Sequence, residues 1–304
     1  MKVAVLMGGL SNERDVSLRS GAAIAAALKR KGHDVTELDA SDDIVSKIKA
    51  LKPESVYVAL HGKWGEDGCV QGMLEWLQIP YTGSSTLVSS LCFDKRVTKD
   101  FFKAYGVKTP RDNIFRRGED VEKFCRELKI QPPLVVKPNT EGSSIGVSRV
   151  EKIDELKPAL EAAIKLDTVV LVEEMIVGRE VTVSVLNGKA LPVVEVVPKS
   201  GFYDFKSKYT KGMTEYKVPA VLSEKLARDL KEASEKIFAA LGCEGAVRID
   251  FMIDKDEVPY ALEVNTIPGM TETSLLPKAA AESGIVFDDL CDQILKTARV
   301  KVTK

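Results

Sequence analysis

The chain is 304 residues long, 44% hydrophobic and 29% charged, with 44 basic against 45 acidic side chains and a formal net charge of −1. That length exceeds a typical single domain and predicts two or three domains around sizeable cores, in an ordinary soluble globular composition. The balance of charge gives no electrostatic case for nucleic acid or an anionic membrane, and five scattered cysteines without a CxxC point to reduced thiols in a cytosolic protein.

The opening "MKVAVLMGGLSNERD" has an apolar run too short for a signal-peptide core, and it runs straight into charges, so it reads as a first strand. No stretch approaches the roughly 18 apolar residues of a membrane span. "SLRSGAAIAAALKRKG" predicts an amphipathic helix stopped by Gly32, "DVTELD" and "SVYVALHG" predict strands, and "GCVQGMLEWLQ" another helix. Alternation of strand and helix over residues 1–86 predicts a parallel α/β unit. A single helix, "SSLCFDKRVTKDFFKAYG", then opens a central unit, 87–176, with strands "PLVVKP", "IGVSRV" and "TVVLVEEM" and a helix over 153–166. The last unit, 177–304, holds the strands of "REVTVSVLNGKALPVVEVV", an irregular segment 198–219, a helix over 223–241, a hairpin and a terminal helix from about 274. These last two units read as α+β, with mostly antiparallel hairpins.

The hairpin is "RIDFMIDKDEVPYALEVNTIPGMTETS". With period two, Ile249, Phe251 and Ile253 face one way and Arg248 and Asp250 the other. In the second strand Tyr260, Leu262 and Val264 form the apolar side, opposite Glu263 and Asn265. A solvated sheet face gives this alternation, and so does a site built from three oxygen-bearing side chains and a guanidinium. "VVKPNTEGSSIGV" sets Lys137 at a strand end before a loop of Gly142, Ser143, Ser144 and Gly146. Small residues let backbone N–H groups approach an anion, and the lysine adds a point charge; a plain hairpin turn has the same composition. It is not a Walker A motif, because the lysine precedes the loop and a strand follows. "MGGLSNERD" lacks the G-x-G-x-x-G of a dinucleotide site.

Lys95 sits on a helix, where a solvated lysine would look the same. "LVEEMIVGREVTV" runs strand, kink at Gly178, strand, with Glu173 and Glu180 flanking Met175 and Ile176. It suits either a plain interdomain strand or a slot for a flat purine with a carboxylate for ribose hydroxyls. Segment 198–219, carrying Phe202, Tyr203, Phe205, Tyr209 and lysines 206, 208 and 211, has the composition of a closing lid or of a surface loop. His61 at a strand end is either packed or substrate-facing, and His33 is structural.

Taken together and in order, Lys95 in "FDKRVTK", Lys137 with "EGSSIGV", "LVEE", "RIDF" and "LEVNTIPGM" resemble the ATP-grasp superfamily. "MGGLSNERDVSLRSG", "ALHGKWGEDGCVQGMLEWLQIPYTGS", "FYDFKSKYT", "GCEGAVRIDF" and "NTIPGMTETSLLP" resemble its D-alanine–D-alanine ligase family, over nearly the whole chain. The resemblance implies a three-domain ATP-grasp fold of α/β and α+β class, with an N-terminal parallel α/β domain and ATP held between the central and C-terminal domains. It implies ATP-dependent ligation of two D-alanines through a D-alanyl phosphate, for peptidoglycan precursors, by a cytoplasmic homodimer. It also implies that Asp250, Glu263 and Asn265 hold two Mg²⁺ ions, with Mn²⁺ as a substitute, on the nucleotide phosphates, since hard cations take oxygen ligands.

By the same resemblance Glu13 meets the ammonium of the first D-alanine, Ser143 and Tyr209 extend it into a hydrogen-bonded chain, and His61 stands beside that substrate. Arg248 and the Gly269 N–H face the oxyanion. Lys208, Ser274 and the Leu275 N–H hold the second carboxylate. Lys95, Lys137, Ser143, Ser144, Glu173, Met175, Ile176, Glu180 and Lys208 surround ATP. Met175 and Ile176 stand where relatives also carry bulkier aromatic residues, a departure that bears on nucleotide fit. Tyr209 goes with dipeptide synthesis, as a phenylalanine there goes with depsipeptide synthesis. Two rivals are another ATP-grasp carboxylate–amine ligase and a non-catalytic nucleotide-binding regulator; loss of Asp250, Glu263 or Asn265 would favour the second, and all three are present.

Overall fold

The computed structural model describes residues 1–40, 43–199 and 212–302. Strand β1 (Lys2–Met7) lies between β2 (Asp34–Asp39) and β3 (Ser55–Val58), all parallel, with helices α1 (Arg14–Arg30), α2 (Ile44–Leu51) and α3 (Cys69–Trp76) among them. Val3 and Val5 enter one core while Ala4 and Leu6 enter another. Burial on both faces is why β1 reads as an unbroken apolar run.

The single helix expected next is two, α4 (Thr86–Phe93) and α5 (Lys95–Ala104). Asp94 between them is extended, and its carboxylate accepts the Val97 N–H at 2.9 Å, so an N-cap restarts the helix and puts Lys95 at its first position. Strands β4 (Asp112–Arg116), β5 (Leu134–Pro138), β6 (Ser148–Val150) and β7 (Val169–Glu174) form an antiparallel sheet in the order β4-β7-β5-β6. Helices α6 (Val121–Glu127) and α7 (Leu156–Ala163) give it a core of its own around Phe115, Leu134, Leu156 and Leu160.

The third sheet holds β8 (Gly178–Leu186), β9 (Lys189–Ala190), β10 (Val194–Pro198), β11 (Thr214–Lys217), β12 (Ala246–Asp254) and β13 (Pro259–Asn265), with α8 (Glu224–Leu241) on one face. Within the expected irregular segment 198–219, β11 pairs with β10 instead; residues 200–211 of that segment lie outside the described residues. Phe102 of α5 and Cys92 of α4 bury into the core of this sheet, beside Val183, Ile249 and Phe251. The terminal helix is also two, α9 (Leu275–Glu282) and α10 (Phe287–Leu295). Both join a core that contains Val3, Ile24 and Leu28 of the first sheet and helix, as well as Val194 of β10. No helix of the described residues is long and apolar enough to cross a membrane.

The hairpin forms, but not with a constant period. Register slips between Asp250 and Phe251: Asp250 faces Glu263, whereas Phe251 faces Ala261. Leu262 is the extra residue of this bulge. The apolar side of β13 is therefore Ala261 and Val264, both in the core, and Leu262 lines a cleft on the polar side.

Candidate active site

Across the polar face of the third sheet the register stacks charged and hydroxyl side chains. Asp250 is paired to Thr182 on β8 and to Glu263 on β13, and Arg248 to Ser184 and Asn265. The odd positions Val181, Val183 and Val185 hold the other face in the core, which fixes this face toward the cavity. Arg248 grips Asp250 with two bonds of 2.7 Å. Lys95 lies 3.4 Å from Glu263 and donates to the Glu141 carbonyl at 2.8 Å. Asn265 Oδ1 accepts the Ile267 N–H at 3.2 Å.

A cavity above this face gathers Glu13, His61, Lys95, Ser143, Glu180, Arg248, Asp250, Glu263, Asn265, Gly269, Ser274 and Leu275. An adjoining cleft between the second and third sheets is lined by Lys95, Lys137, Ser143, Ser144, Glu173, Met175, Ile176, Glu180, Asp250 and Glu263. Lys95, Ser143, Glu180, Asp250 and Glu263 belong to both, so the two spaces meet over the acidic pair. Tyr209 and Lys208 lie outside the described residues.

The Gly/Ser loop bridges the two spaces. Ser143 and Ser144 have φ of 51° and 60°, in the left-handed region that non-glycine residues rarely adopt. The Thr140 N–H and hydroxyl both donate to Asp167, at 2.6 and 2.7 Å, anchoring the start of the loop. Ser143 Oγ donates to Glu13 Oε1, and Lys63 pairs with Glu141, so two contacts tie the first domain's loops to this one. A Cβ at Gly142 would collide with the Glu13 carboxylate where it now lies, so any larger residue there would have to push that side chain aside.

Lys137 closes β5 and binds Glu173 at 2.7 Å, while the fully buried Lys99 takes the other Glu173 oxygen at 2.6 Å and the Pro110 carbonyl at 2.7 Å. Burial works to raise the Glu173 carboxyl, but Lys137 and Lys99 overcome it and hold it below the usual carboxylate range. Glu180, by contrast, lines both spaces. Burial, helped by the charge of Arg248, pushes His61 down to about 4, so its ring is neutral against the Ser20 hydroxyl at 3.0 Å. At the far wall Ser274 precedes α9, whose first N–H group belongs to Leu275 and points out of the helix end, a natural seat for an anion. A Cβ on Gly269 would lie 2.8 Å from Ser274 Oγ, so the backbone approaches closely there.

Among the described residues no three His, Cys, Asp or Glu side chains form a ready metal cage. The donor set nonetheless fits Mg²⁺. That ion is usually held by one or two carboxylates with substrate phosphates supplying the rest, and Asp250, Glu263 and the Asn265 amide offer hard oxygens beside the cleft. Arg248 and Lys95 now neutralise those two carboxylates.

Glu66 and Lys99 lie inside two of the segments that carry the family resemblance, but neither is given a role by it. Lys99 reads as one more basic residue on an amphipathic helix. Glu66 sits inside "GKWGEDG", where only the flanking glycines hint at a shaped loop.

The C-terminal model of the D-ala D-ala ligase family matches residues 101–296 and its N-terminal model residues 38–84. The chain belongs to the D-alanine–D-alanine ligase family. It is 53% identical to the D-alanine–D-alanine ligase of Syntrophotalea carbinolica over 99% of this chain and 97% of that one. It is 48% identical to the Aquifex aeolicus ligase, covering 97% of this chain and all of that one. The crystal structure of the Bacillus anthracis ligase complexed with ATP superposes with a TM-score of 0.85 at 38% identity, covering 98% and 96% of the two chains. The three-sheet architecture is thus that of the family, and the ATP-grasp fold expected from the motifs is the one observed.

Proposed function

We infer that the chain joins two D-alanines into D-alanyl-D-alanine, with ATP converted to ADP and phosphate, as a step toward peptidoglycan. The observation that carries this reading is the single acidic wall, Asp250 and Glu263, shared by a nucleotide-sized cleft and a smaller polar cavity. A transfer from nucleotide to amino acid needs that shared wall.

The first D-alanine carboxylate attacks the γ-phosphoryl of ATP, giving D-alanyl phosphate and ADP. Lys95, Lys137 and the N–H groups of the Gly/Ser loop offset phosphate charge, and Glu173 with Lys99 behind it keeps Lys137 aimed. Glu180 would take the ribose hydroxyls and Met175 and Ile176 the base, all three lining the same cleft. Asp250, Glu263 and Asn265 would hold Mg²⁺, which neutralises charge spread over the transferring phosphoryl. The second D-alanine, held by its carboxylate at Ser274 and the Leu275 N–H, attacks the acylphosphate through its amine. Charge develops on the carbonyl oxygen near Arg248 and the Gly269 N–H, phosphate departs, and the nitrogen loses its proton. The neutral His61 packs beside the first substrate and adds no competing charge.

The test is phosphate release from ATP with D-alanine, L-alanine or D-lactate as substrate, with the product identified by mass spectrometry. D-Alanyl-D-alanine from D-alanine alone is expected; phosphate release without dipeptide overturns the reading.

A further inference from the structure

We propose that Asn139 is a positioning residue for nucleotide binding: its buried amide holds the helix that carries Lys95 against the strand that carries Lys137, and so fixes the gap that receives phosphates. The proposal rests on the ligase reading for the identity of the nucleotide, and deepens it. The two lysines ride on different bodies. Lys137 belongs to β5 of the second sheet, whereas Lys95 opens α5, whose Phe102 is buried in the core of the third. Their separation therefore depends on what joins the two sheets at this point. Asn139, two residues beyond Lys137 and only 3% exposed, makes that junction.

The backbone of Asn139 is tied to the second sheet. Its N–H donates to the Val169 carbonyl at 3.0 Å, and the next residue, Thr140, is the one held by Asp167. Its acceptors face α5 instead. The Asn139 carbonyl accepts the Lys95 N–H at 3.4 Å, and Oδ1 accepts the Arg96 N–H at 2.9 Å. The first N–H groups of a helix have no partner inside it. In α5 those of Val97 and Thr98 go to Asp94 just ahead of the helix, but those of Lys95 and Arg96 go to Asn139, across the cleft. The helix end is thus closed by protein, and the group that reaches the cleft is the Lys95 side chain. Lys95 Nζ donates to the Glu141 carbonyl at 2.8 Å, on the same loop, while Glu173 holds Lys137 at 2.7 Å. A phosphate chain that draws on both ammonium groups needs them at one spacing, since a misplacement of about 1 Å can cost a closed site much of its effect. Removing the Asn139 amide takes the acceptor from the Arg96 N–H and frees the first turn of α5 to drift from β5.

The experiment uses the full chain as wild type, Asn139→Ala, Lys95→Met and the double variant. The Kd of a non-hydrolysable ATP analogue with Mg²⁺ is measured by calorimetry, and that of adenosine, which carries no phosphate, by competition against it. Asn139→Ala should raise the Kd of the analogue by about tenfold and that of adenosine by less than about twofold. In the Lys95→Met background, where no ammonium is left to aim, the same substitution should add less than about twofold. An unchanged Kd for the analogue in folded Asn139→Ala overturns the proposal. So does an equal rise for adenosine, or a full tenfold loss on top of Lys95→Met, because each marks a general loosening of the cleft. Asn139→Ser, whose shorter hydroxyl falls short of the Arg96 N–H, serves the same comparison where the alanine variant does not fold. Wild type separates the two readings. Phosphate release without dipeptide ends the ligase reading and leaves the Kd comparison to decide on Asn139, whereas dipeptide from wild type with an unaltered Asn139→Ala profile removes Asn139 alone.

Discussion

Two side chains in the cavity carry separate tests, Glu263 through its charge and His61 through its burial. Glu263 faces Asp250 across the hairpin and lies 3.4 Å from Lys95, so its charge balances that lysine and, with Asp250, makes the acidic wall proposed for Mg²⁺. Glu263→Gln keeps shape and removes that charge; kcat/KM should drop by about a hundredfold or more with circular dichroism unchanged. Near-normal turnover in the folded variant would remove Glu263 from the phosphoryl-transfer wall. His61 makes a stability prediction. Its pKa falls to about 4 in the folded protein, chiefly through burial. Above its unfolded value near 6.5 both states are neutral and nothing is lost. As pH falls through that value toward 4, the unfolded chain binds the proton first, and stability drops by about 3 kcal/mol. The gap in unfolding free energy between wild type and His61→Asn should therefore narrow by about that amount between pH 7 and pH 4, measured by urea denaturation. A gap independent of pH would show that the ring is protonated where it lies.

At the scale of elements, α5 joins catalysis to packing. Its first residue, Lys95, reaches the acidic wall, and Phe102, two turns on, is fully buried in the core under the third sheet. Phe102→Ala should cost about 3–5 kcal/mol of stability, read by denaturant midpoint, and raise the KM for ATP because the helix that aims Lys95 loses its anchor. A stability loss without any change in nucleotide KM would separate the two roles. This helix also marks where the sequence stops being legible. Period 3.6 identified α1 and period two the hairpin, because each has one face committed to a core, while β1, buried on both faces, showed as an unbroken apolar run. The periods failed at Asp94, where a single capping side chain restarts a helix, and at Leu262, where one inserted residue flips the strand's faces. Neither event leaves a trace in periodicity. Most of the site was legible for a different reason. Its residues lie in family segments whose spacing the chemistry constrains; Lys99 lies in one of them too, but its grip on Glu173 depends on burial and a neighbour that only the folded chain brings near.

Over the whole molecule the cores are unequal. The first and third sheets share one through α1, α9 and α10, while the second sheet has its own. Hydrogen exchange should report this division. Amides of β1, β8 and β12 should belong to one slow class, and those of β5 and β7 should open at a free energy lower by at least about 1 kcal/mol. A non-hydrolysable ATP analogue at a hundredfold excess over its Kd contacts both sheets across the cleft and should add about 2.7 kcal/mol to the weaker unit. Identical exchange classes before and after nucleotide would contradict the division.

The shared core also sets a timetable. The α1 face that carries Ile24 and Leu28 is covered by Leu290 and Ile294 of α10, and the Arg30–Asp288 ion pair on the same seam spans 258 positions of sequence. At roughly 5–20 residues per second, a ribosome needs on the order of tens of seconds to make the covering helix after it has made the covered one. Through that interval the nascent N-terminal unit carries a bare apolar stripe beside an already formable parallel sheet. Its assembly must finish after α10 has emerged from the exit tunnel, so the working cavity, whose walls come from both ends of this seam, closes only once translation has passed Leu295.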